Sequence, residues 1–76
     1  MNKERRKKIS EIIDALAEIQ SSVEEICSEE QDALDNLPDG VRDGERGDAM
    51  QEAIDNLESA SASLEEASEY LEEATI

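Results

Sequence analysis

The second half of the chain repeats every seven residues, and that repeat limits the possible folds more than any other feature. Ala53, Ala60, Ala67 and Ala74 share one position, and Met50, Leu57, Leu64 and Leu71 share the position three residues before it. A sustained 3-4 alternation of apolar residues is the pattern of helices packed along a seam. It predicts a helix over residues 48–75. Asp48, followed by Gln51, fits a capping box at its start; an earlier start at Asp43 is the alternative, opposed by Gly44 and Gly47. The first half has the same period with bulkier residues. Ile9, Leu16, Val23 and Leu37 share one position, interrupted by Glu30, and Ile12, Ile19, Ile26 and Ala33 share the position three later. Ile13, Cys27 and Leu34 widen the stripe. This predicts one long helix over residues 3–37, roughly 50 Å at 1.5 Å per residue.

The only Pro and all three Gly fall in residues 38–47, between these patterns. Pro38 disfavours helical backbone at Leu37, and Gly40, Gly44 and Gly47 permit the positive φ of tight turns. Two arms of equal length around a turn predict an all-α antiparallel helical hairpin, a single coiled-coil-like domain over residues 1–76. The Ala row then lets the helices approach closely, with the large residues of the first helix filling the space. The apolar stripe of the first helix is wider than one partner helix covers. A second copy would cover the rest, giving a homodimeric four-helix bundle.

Charge is the second constraint. The chain has 22 Asp+Glu against 7 Lys+Arg, a net −15, with one Cys and no His. These counts exclude a Cys/His zinc site, a disulfide framework and imidazole catalysis. They predict no direct nucleic-acid ligand, since so acidic a surface repels phosphates. No apolar run reaches the ~18 residues of a membrane span, and no signal peptide is evident, so a cytoplasmic location is expected. Lys3, Arg5, Arg6, Lys7 and Lys8 sit at the wrong end of their own helix dipole, as do Glu66, Glu69, Glu72 and Glu73. A hairpin brings the two misplaced clusters together as counter-charges; a membrane or nucleic-acid contact is the alternative for the basic cluster.

Paired carboxylates such as Glu24-Glu25 and Glu65-Glu66 read as a solvated acidic face, because carboxylate di-metal bundles also need Glu-x-x-His. No catalytic residue, metal or cofactor is expected, and no enzymatic activity. Cys27 reads as a small core residue rather than a reactive thiol. The candidate partner-binding residues are Glu24, Glu25, Glu29, Asp32, Asp55, Glu58, Glu65, Glu66 and Glu69, with Tyr70 either capping the core or anchoring a partner. Arg42 and Arg46, among glycines, are candidate phosphate contacts, or they offset Asp39, Asp43 and Glu45.

The segments Asn2-Lys3-Glu4-Arg5-Arg6-Lys7, Glu29-Glu30-Gln31-Asp32-Ala33-Leu34-Asp35-Asn36-Leu37-Pro38, Glu45-Arg46-Gly47 and Ala53-Ile54-Asp55-Asn56-Leu57-Glu58 resemble small acidic helical proteins encoded by bacteriophages and prophages. Such proteins have a polar cap before Glu-Arg-Gly; this chain has Gly44. The resemblance implies a phage or prophage setting more than an activity; since small acidic phage proteins often inhibit host proteins, the expected function is an inhibitor of a host protein, in an anti-defence role or by imitating DNA charge on a nucleic-acid-binding enzyme. The residues themselves also admit a self-assembling bundle that serves as a scaffold, and a nucleotide-binding sponge built on the loop.

Overall fold

A computed structural model describes residues 1–75. It contains α1 (Lys3–Asp35), α2 (Asp39–Arg42) and α3 (Glu45–Ala74), and among the described residues no strand. α1 and α3 pack side by side along their length, and α2 packs on α3. The molecule is a rod of 58 × 15 × 11 Å, as expected of a helical hairpin. α1 starts where the sequence predicts. The Asn2 side chain accepts a hydrogen bond from the Arg5 backbone N–H at 2.8 Å, so one of the unpaired amides of the first turn is satisfied.

The loop is shorter than residues 38–47. α1 ends at Asp35 rather than at 37, and Asn36 caps it through its backbone. Residues 39–42 form a helical turn of their own, with the Pro38 carbonyl accepting from Val41 and Arg42 N–H, both at 2.9 Å. Pro38 therefore opens a helix as well as ending one. It is the residue just before the first helical position, and nothing is lost by its missing N–H there. α3 begins at Glu45, three residues before the predicted start at 48. Gly44 is its N-cap and makes no side-chain bond. Asp48 lies inside the first turn, and Gln51 donates to Asp55 at 3.0 Å instead of closing a capping box.

No glycine among the described residues has a positive φ, so turn geometry is not what these glycines serve. Gly47 is needed for closeness. A Cβ there would lie 2.8 Å from the Arg42 Cα and nearer still to its carbonyl. The helical turn of α2 rests directly on the α3 backbone at this point.

The seam differs from the predicted one by one row on each helix. On α1 the residues turned inward are Ile9, Ile13, Leu16, Gln20, Val23, Cys27, Glu30 and Leu34, followed by Leu37 just past its end; on α3 they are Gly47, Met50, Ile54, Leu57, Ser61, Leu64, Ser68 and Leu71, followed by Thr75 at its C-cap. Both sets alternate three and four residues. The Ile9 and Met50 rows are in the seam as predicted. The Ile12 row is not, with Ile12, Ile19 and Ile26 at 48%, 50% and 53% exposure, and the Ala53 row lies at the edge of the seam, with Ala53 and Ala67 half-buried and Ala60 and Ala74 exposed. Leu34 and Ile54 are the buried apolar residues, at 6% and 1% exposure, and Gly47 is buried. Ile54, the one large residue of its row, is buried opposite Cys27, which leaves the Ala row at the edge of the seam.

Candidate functional site

With the seam placed, the hairpin has two unlike flanks. Gln20 faces Ser61 across the helices at 3.4 Å, and Ser61 donates to Glu24 at 3.2 Å. Cys27 lies 3.9 Å from the Ile54 carbonyl. An open groove of about 420 Å³ runs along this side, lined by Glu24, Cys27, Ser28, Gln31, Asp32, Leu57, Glu58 and Ser61. The Glu24 row of α1 and the Glu58 row of α3 therefore share one flank. Helical spacing adds the next row out on each helix. The flank then presents nine exposed acids: Asp14, Glu24 and Asp35 on α1, with Asp48, Asp55, Glu58, Glu65, Glu69 and Glu72 on α3.

The opposite flank carries the Ile12, Ile19, Ile26, Ala33 row of α1 beside the Ala53, Ala60, Ala67, Ala74 row of α3. The rows bordering it hold Ala15, Ser22 and Glu29 on one helix, and Ala49, Asn56, Ser63 and Tyr70 on the other. Glu29 is the one acid on this flank along residues 12–33 and 49–74. Most remaining acids, including Glu25 and Glu66, lie on the outer ridges between the flanks.

The ten candidate partner-binding residues sort onto these surfaces. Glu24, Asp32 and Glu58 meet at the groove between the helices. Glu65, Glu66, Glu69 and Tyr70 meet with Glu73 in a shallow groove of about 450 Å³ on α3. Glu25, Glu29 and Asp55 border neither groove. Tyr70 does not cap the core: it is 64% exposed, at the border of acidic surface and apolar flank.

Arg42 is engaged locally. Its Nη2 pairs with Asp39 at 3.3 Å and donates to the carbonyls of Leu37 and Asp35 at 3.2 and 3.4 Å. A cation on the last carbonyls of α1 complements the negative end of the helix dipole. Arg46 is exposed on the first turn of α3. Among the described residues the Arg42–Asp39 contact is the only ion pair, so the basic cluster of Lys3 to Lys8 makes no direct pair with Glu66, Glu69, Glu72 or Glu73. Its attraction to them acts through solvent. Among the described residues no acids or thiol converge as a metal site, and no helix is long and apolar enough to cross a membrane.

No family model, curated protein or solved structure matches the chain. The structure itself defines an all-α, acidic helical hairpin with one charged and one apolar flank.

Proposed function

We propose that this hairpin is a non-enzymatic protein-binding module whose acidic flank docks on a basic surface of another protein. The placement of nine acids on one flank, against the single Glu29 on the opposite flank, carries the reading, since a merely solubilising charge need not avoid one side. A long single-sign surface attracts and orients an oppositely charged partner and speeds encounter. The grooves containing Glu24, Asp32 and Glu58, and Glu65, Glu69 and Tyr70, supply shape within it. The resemblance to phage-encoded acidic proteins suggests a host protein as the partner, in the cytoplasm.

Charge spacing favours a generic basic surface over imitation of duplex DNA. Nine acids along the 58 Å rod amount to about one per 6 Å, whereas phosphates recur every ~3.4 Å along each DNA strand. One flank is too sparse to reproduce a duplex, so a basic protein patch is the better fit. The scaffold reading draws support from the apolar flank, and the sponge reading is weakened by the engagement of Arg42.

The test is capture of host proteins by the tagged chain at low and at physiological salt. A partner retained at low salt, and lost from the Glu58→Gln/Glu65→Gln/Glu69→Gln variant, is the expected result. Capture unaffected by both salt and that variant overturns the acidic-flank reading.

A further inference from the structure

We propose that the apolar flank is covered by a second copy of the chain, with the Ile row of each α1 seated on the Ala row of the partner copy's α3. The inference stands on the apolar flank alone and holds whether or not the acidic flank binds anything.

Three observations favour a second copy over another occupant. The first is area. The apolar flank runs about 35 Å along residues 12–33 and 49–74 at 1.5 Å per residue on a face 15 Å wide, so two copies bury roughly 1,000 Å² in total, the low end for a specific interface. The hairpin also needs the burial, because among the described residues Leu34 and Ile54 are the only large apolar side chains that are buried, a small core for a single domain. The second is charge. Glu29 is the one acid on this flank, so two copies meet face to face with their acids outward, and screening over ~8–10 Å weakens repulsion between the outer faces.

The third is register. Gln20 lies opposite Ser61 and Cys27 opposite Ile54, so one heptad up α1 matches one heptad down α3. On that scale Ile12, Ile19 and Ile26 are level with Ala67, Ala60 and Ala53 to within two residues, about 3 Å. A two-fold axis parallel to the helices exchanges the left and right sides of the face while preserving height. It places every Ile of one copy over an Ala of the other, large on small, without a slide. Every neighbouring pair of helices is then antiparallel, and both loops lie at the same end. The alternative axis, across the helices, stacks Ile on Ile and Ala on Ala, leaving the rows mismatched in size.

The test uses the full chain in a Cys27→Ala background, with two further single variants, Ile19→Cys and Ala60→Cys, mixed under mild oxidation. Disulfides need Cα atoms within about 7 Å, so the arrangement predicts a covalent dimer in the mixture and little when either variant is oxidised alone. Cross-linking of Ile19→Cys only with itself overturns the proposed axis. No specific cross-link, together with an 8.4 kDa mass for the helical parent in sedimentation, overturns the second copy as occupant. In the same sedimentation assay Ile19→Glu is expected to lose the dimer, and Glu25→Gln, on the outer ridge, to keep it.

Discussion

Gly47 and Gly40 are chemically identical and sit seven residues apart, yet the structure asks opposite things of them. Replacing glycine with alanine in a helix ordinarily stabilises by about 0.5–1 kcal/mol. At Gly40 nothing lies within 4 Å of the added methyl, so Gly40→Ala is expected to raise stability by about 0.4–1 kcal/mol. At Gly47 the methyl would overlap the Arg42 backbone, and α2 would have to move off α3. Gly47→Ala is expected to destabilise by roughly 1–3 kcal/mol through overpacking. Paired urea melts check both signs, and equal stabilisation by both variants would show that α2 does not press on α3. Ile54, at 1% exposure, is the residue whose truncation leaves the clearest cavity. Ile54→Ala should cost roughly 2–5 kcal/mol, read from the shift of the same melts. The special status of Gly47 is not legible in the chain, because a turn-rich segment explains glycines equally well by positive φ.

At the scale of the helices, two long elements and the turn between them are readable from periodicity and from the clustering of Pro and Gly. The helical turn of α2 is not, since four residues containing a glycine carry no periodic signal. The rotation of each helix was also hidden. Ala53 and Ser61 rows differ little in bulk, and the Ile12 row is as apolar as the row that wins. The burial of Leu34 and Ile54 goes with one choice between rows of nearly equal merit. The candidate acids were legible one by one, but their division into flanks depends on that rotation. Glu30 tests the rotation directly. It is half-buried at a seam position of α1, with no hydrogen bond to its carboxylate from the described residues. Glu30→Leu is expected to stabilise by about 1 kcal/mol, from some tens of Å² of apolar burial at ~25 cal/mol per Å² and the loss of one negative charge. A lower denaturation midpoint for this variant would place Glu30 outside the seam.

For the molecule as a whole, the net −15 and the small core pull against each other. Self-repulsion disfavours bringing two copies together, and exposed isoleucines favour it. Salt weakens the first at separations beyond a Debye length, ~8–10 Å at physiological ionic strength, and leaves the second intact, so stability should rise from low to physiological ionic strength. A thermal midpoint that falls over that range would mean attractive ion pairs dominate, contrary to the single pair seen. The central claim is that this hairpin completes its core by pairing through the Ile12–Ile19–Ile26 flank while its acids face outward. Coupled folding and association make the melting temperature depend on protein concentration. The most direct measurement is therefore circular dichroism melting over a hundredfold range of concentration at physiological salt. The midpoint is expected to climb steadily with concentration, with helicity lost on dilution. A fully helical protein whose midpoint is the same at every concentration would contradict that claim.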